Sequence, residues 1–109
     1  MVPAIPAWHS QLRKSQGGLP FTIRFMPFID QLRAAATQNN SMLCVGLDPE
    51  PSRFPGAMQG DASKIYDFCA AIVDATHDLV NSFKPQIAYF AAHRAEDQLE
   101  KLMVHMRAV

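Results

Sequence analysis

The chain has 109 residues, and ten Lys and Arg balance ten Asp and Glu, so its formal charge is zero. An apolar share of 49% with 18% charged residues suits one globular domain and is too apolar for intrinsic disorder. Uninterrupted apolar runs such as 42–47 fall far short of the ~20 residues of a membrane-spanning helix. A neutral chain with no Lys/Arg run also lacks the basic footprint of a nucleic-acid binder, so neither membrane nor nucleic acid is expected as a partner.

The zero average hides a boundary. Residues 1–25 contain Arg13, Lys14 and Arg24 and no acid, whereas residues 26–109 carry seven bases and ten acids. The first segment also holds Pro3, Pro6, Pro20 and the pair Gly17-Gly18, with no helical or strand period. It lacks the apolar core of a secretory signal and the serines and amphipathic face of a transit peptide. Residues 1–25 are therefore read as a disordered extension, and 26–109 as the folded domain. Cys44 and Cys69 form no CxxC and no metal-ligand spacing. They read as reduced core thiols of a cytoplasmic protein, and no metal is expected.

From Met26 onward, Phe28, Ile29, Leu32, Ala35 and Ala36 recur at helical spacing, and Asn39-Asn40 end the run. Residues 42–47 form an apolar run of strand length that suits a buried parallel strand and stops at Asp48-Pro49. Residues 50–60, broken by Pro51, Pro55 and Gly56, read as a loop. Ile65, Phe68, Cys69, Ile72, Val73, Thr76, Leu79 and Val80 then hold one helical face, with Asp61 as N-cap. Residues 82–90 read as a second strand despite Pro85, which cannot donate to a ladder. Ala95, Leu99, Leu102, Met103 and Met106 mark a last helix, with Asp97 and Lys101 spaced for an i,i+4 pair.

Strand–helix–strand order of this kind forms a right-handed parallel crossover. Two parallel strands cannot cover both faces or both edges of their sheet, so the pattern reads as the beginning of something larger. Alternation puts Cys44, Gly46 and Asp48 on one face of the first strand, and Lys84, Gln86 and Ala88 on one face of the second. The opposite face of the second strand would carry Phe83, Pro85, Ile87 and Tyr89. Asp48 and Lys84 on corresponding faces fit a ligand cleft at the carboxyl ends of parallel strands. The plainer alternative is an Asp capping its loop and a Lys reaching solvent. His77, His93 and His105 form no ligand pair and read as surface groups, and Glu96, Asp97 and Glu100 read as a solvated helix face.

The strings Leu-Cys-Val-Gly-Leu-Asp-Pro-Glu-Pro (43–51) and Phe-Lys-Pro-Gln-Ile-Ala-Tyr-Phe (83–90) closely resemble the orotidine 5'-phosphate decarboxylase family, in its longer bacterial branch. Residues 68–76 and 93–100 extend the resemblance, which runs from Met26 to about Arg107. It implies an α/β fold, the first two βα units of a (β/α)8 barrel of typically ~250 residues, preceded by a short helix. It further implies conversion of orotidine 5'-monophosphate to uridine 5'-monophosphate in pyrimidine synthesis, with no cofactor or metal, by a homodimer. Asp48 would hydrogen-bond a ribose hydroxyl. Lys84 would touch the ribose and join a Lys–Asp charge network beneath the pyrimidine. The family's Asp-x-Lys-x-x-Asp motif, which carries the proton-donating Lys, does not occur in the chain. The chain is thus expected to be an N-terminal part of such an enzyme and inactive alone. A sugar-phosphate decarboxylase or synthase of the same barrel group is the nearest enzymatic alternative. The other alternative is a non-catalytic interaction module that uses exposed strand edges.

Overall fold

The computed structural model describes residues 1–3 and 26–109. Among these residues, three short strands share one sheet in the order β1–β3–β2. The strands are β1 (Val2–Pro3), β2 (Cys44–Leu47) and β3 (Ser82–Pro85). Four α-helices accompany them: α1 (Phe28–Asn39), α2 (Ile65–Thr76), α3 (Ile87–Ala91) and α4 (Glu96–Ala108). The protein is mixed α/β with a small sheet, and β2 and β3 run parallel as the crossover argument requires. No described helix is long and apolar enough to cross a membrane.

The N-terminal segment differs from its reading at two residues. Val2 and Pro3 pair antiparallel with Phe83 and Ser82 rather than lying outside the fold, and Val2 is 7% exposed. A β-branched side chain against the sheet accounts for this burial. The rest of the expected disordered extension, residues 4–25, lies outside the described residues.

Helix α1 starts after Pro27, whose carbonyl accepts from the Asp30 and Gln31 amides. It ends where expected, because Asn40 takes a left-handed conformation (φ 47°) that Asn tolerates better than most residues. The Asn39 side chain then bridges to the Val80 and His77 carbonyls at 2.7 and 3.0 Å, which fixes α1 to the turn before β3. The expected buried face is only partly realised. Ala35 is buried, but Phe28 and Ile29 are about half exposed at the end of the helix.

Strand β2 begins two residues later than the apolar run, and Met42 and Leu43 are exposed. The following loop is more ordered than its composition suggests. Three single 3-10 turns (Pro51–Arg53, Gly56–Met58, Ala62–Lys64) fold it back, and the Gly60 amide closes onto the Pro51 carbonyl at 2.7 Å. Gly60 sits at φ 78°, a region that penalises any Cβ. Phe54 is thereby buried and stacks on Phe68, with ring centroids 4.3 Å apart.

Asp61 caps the last of these 3-10 turns rather than α2 itself. Its carboxylate accepts from the Ser63 hydroxyl and amide at 2.6 and 2.9 Å, bonds that hold its pKa below the usual value. The first turn of α2 is capped from α4 instead. Gln98 accepts from the Tyr66 amide at 2.8 Å and donates to the Ala62 carbonyl at 2.9 Å. Helix α2 stops at Thr76, so Leu79 is exposed while Val80 is buried in the turn that follows.

The second strand is shorter than its sequence pattern, and this is the main correction to the fold. It ends at Pro85, and Ile87–Ala91 form α3. The nitrogen of Pro85 lies on the side away from β2, so its missing N–H costs no bond to that strand, and the Gln86 amide donates to the Leu47 carbonyl at 3.1 Å as the last rung of the ladder. The alternation expected through Gln86, Ile87, Ala88 and Tyr89 therefore does not apply. Arg94, at φ 51°, separates α3 from α4. The core lies on the Phe83 face of the sheet, where Phe83, Leu47, Val73, Phe90, Leu102 and Met106 are buried together. Lys101 does not join Asp97 in an ion pair; its ammonium lies 3.9 Å from the centroid of the Tyr66 ring. His105, one of the expected surface histidines, contacts Asp74 of α2 at 2.6 Å.

Candidate functional site

The strand register decides which side chains share a face. Gly46 pairs with Lys84, and Val45 with Phe83. Phe83 is buried, so Lys84, its neighbour in the chain, points to the opposite, open face, and Cys44, Gly46 and Lys84 are all exposed there. Cys44 is therefore not the core thiol its apolar neighbours suggest. Cys69 is, and burial pushes its thiol up to about 12, which removes it as a nucleophile.

Gly46 keeps the space between Asp48 and Lys84 clear. A Cβ at Gly46 would meet the Asp48 Oδ1 at 3.9 Å, so the carboxylate leans back over the glycine. Asp48 and Lys84 thus flank one bare backbone position at the carboxyl ends of two parallel strands. They do not pair with each other. The ion pairs among the described residues are Asp30–Arg33, Asp67–Lys64 and Asp74–His105. Both groups remain free to meet a ligand.

Beside Asp48 opens a cleft of about 340 Å³, lined by Asp48, Glu50, Arg53, Phe54, Phe68 and Tyr89. The stacked Phe54–Phe68 pair gives it an apolar wall. Asp48 and Glu50 supply hydrogen-bond acceptors, Arg53 supplies a fixed cation, and Tyr89 a phenol. Lys84 does not line this cleft. Sequence reasoning missed Arg53 and Tyr89, because one lies in a loop without a motif and the other was assigned to a strand. The one available signal was the proline in front of each segment, Pro51 and Pro85, which forces a turn toward the strand ends. Among the described residues, no three His, Cys, Asp or Glu side chains are grouped to hold a metal.

This arrangement can bind a polar ligand: a carboxylate to accept from hydroxyls, and an ammonium on the same face to stabilise negative charge. Comparison with known proteins gives the arrangement a context. An orotidine 5'-phosphate decarboxylase of Delftia acidovorans is 87% identical over 84 residues, which is 77% of this chain and 30% of the relative. This chain is similar over most of its length to orotidine 5'-phosphate decarboxylases. The protein of that name from Polaromonas naphthalenivorans is 81% identical over the same length, and that of Paracidovorax citrulli 75% over 83 residues, with the same 30% of each relative covered. The chain thus spans about 30% of the length of the curated relatives it matches. No family model matches it, and no solved structure matches it.

Proposed function

We propose that the chain forms the first part of an orotidine 5'-phosphate decarboxylase, with β2 and β3 as the first two strands of its (β/α)8 barrel. The observation that carries this reading is the register of Gly46 with Lys84, which places Asp48 and Lys84 on one open face at the strand ends. In that role Asp48 accepts a hydrogen bond from a ribose hydroxyl. Lys84 touches the ribose and belongs to the Lys–Asp charge network beneath the reacting pyrimidine.

The chemistry asks for such a network. The bond between the ring carbon and its carboxylate breaks, carbon dioxide leaves, and the electron pair remains on the ring carbon. A preplaced ammonium stabilises that developing charge. A proton must then reach the carbon, which is the work of a general acid. In this reading that acid is the Lys of the Asp-x-Lys-x-x-Asp motif, which does not occur among the 109 residues. The chain alone is therefore inactive, and the complete enzyme would act as a homodimer in the cytoplasm, without metal or cofactor.

The alternative of a non-catalytic module rests on β2, whose outer edge has no strand neighbour among the described residues. A graft separates the two. The matching segment of the Delftia acidovorans relative is replaced by the corresponding residues of this chain, and release of carbon dioxide from orotidine 5'-monophosphate is followed. Activity comparable to the parent supports the enzyme reading. A folded but inactive graft overturns it.

A further inference from the structure

A two-residue strand sits where a continuing parallel sheet has no room for it. β3 carries β2 on one side and β1 on the other, so both of its edges are occupied. The β1 pairing is antiparallel, Val2 with Phe83 and Pro3 with Ser82, whereas every neighbour in a (β/α)8 barrel is parallel. β1 is no loose tail, because Val2 belongs to the same buried cluster as Phe83. It also carries its own stop: Pro3 lacks the N–H that a further strand would need, and very short strands bearing proline are a common way to close a sheet edge.

The geometry points to β1 as an edge cap that holds the place of the next parallel strand, so that capping by Val2–Pro3 and extension of the sheet beyond β3 are mutually exclusive. The partner that displaces it is a parallel β-strand adding to the β3 edge, supplied by the remainder of a decarboxylase barrel. The identity of that partner rests on the function proposed above, whereas the capping itself does not. Capping covers the β3 edge while the outer edge of β2 stays open, and it makes growth of the barrel conditional on release of the N-terminus.

Capping is tested in the full chain by hydrogen exchange. Successive amides along a strand point to opposite neighbours, and the Gln86 amide donates to Leu47 at the end of β2. The amides of Ser82 and Lys84 therefore face β2, and that of Phe83, which pairs with Val2, faces β1. Val2→Asp, which places a charge in the buried cluster, should speed exchange of the Phe83 amide about tenfold or more, with a smaller change at Ser82 and Lys84. An unchanged rate at Phe83 overturns the cap.

Exclusivity is tested by a cross-link. Pro3→Cys with Ser82→Cys, in a Cys44→Ser background, joins two directly opposed positions, and mass spectrometry of the oxidised chain should find that disulfide. Each form is then mixed with the rest of the Delftia acidovorans relative, expressed without its matching segment. The oxidised chain should restore about tenfold less decarboxylase activity than its reduced form. Equal restoration by the two forms overturns the exclusivity. If no form restores activity while the graft is also inactive, the enzyme reading fails, and the exchange result still decides the cap.

Discussion

The two faces of the small sheet are built to opposite ends. On one face Phe83, Leu47, Val73, Phe90, Leu102 and Met106 are fully buried against the helices. On the other, Cys44, Gly46, Asp48 and Lys84 are exposed, although they alternate with those core residues along the same strands. One face is finished packing. The other carries charge and a glycine and lies open toward the strand ends, although Ser82 at the start of β3 is buried. The contrast teaches where each residue's contribution will be measured: in unfolding for the first face and, under the proposed function, in chemistry for the second.

The largest expected effect falls on the packed face. Phe83→Ala removes a side chain with no exposed surface and should cost about 3–5 kcal/mol of unfolding free energy in urea titration. Lys84→Ala, one position along, should leave the unfolding midpoint of the isolated chain unchanged. A similar loss from both substitutions would break the distinction between the faces.

A middle-sized effect concerns how the helices are held over that core. Gln98 satisfies a donor and an acceptor at the start of α2 from its place on α4. Gln98→Ala should cost about 1–2 kcal/mol, and Gln98→Glu, which keeps an acceptor for the Tyr66 amide, should cost less. Equal losses would mean that the bond to the Ala62 carbonyl matters most.

The smallest effect is a difference between the two thiols. Iodoacetamide should modify Cys44 in the native protein and reach Cys69 only on unfolding, which peptide mapping can read. The pH dependence has a definite sign. The ordinary thiol value is 9.0, and the folded value of Cys69 is pushed up to about 12 by burial. Its contribution to stability is complete below pH 9.0 and is lost as pH rises from there toward 12. Stability that rises over this window would contradict the burial of Cys69.

Much of this was legible in the sequence because it rested on period and punctuation. The apolar face of α2, the stop at Asn39-Asn40 and the placement of Asp48 and Lys84 on corresponding faces follow from 3.6- and 2-residue alternation. What was not legible depended on tertiary contacts. The pattern of 82–90 alternates like a strand, yet the ladder closes at the bond from the Gln86 amide to Leu47 and the chain turns into α3. The capping of α2 by Gln98 involves residues 32 apart, which no local pattern reveals. Lys101 was placed by helical spacing opposite Asp97, but the Tyr66 ring from a neighbouring helix offers its ammonium a face instead. At Val2–Pro3, two residues without any period acquire a strand because β3 presents an edge for them.

The central claim is that Lys84 belongs to the chemistry and not to the fold. The most direct test is the turnover rate of the grafted Delftia acidovorans relative carrying Lys84→Ala, measured at saturating orotidine 5'-monophosphate beside the unsubstituted graft. The account predicts a fall of about 10²–10³ in kcat, the scale expected when one preplaced stabilising group is removed, with circular dichroism and melting temperature unchanged. Equal turnover in the two grafts would contradict it.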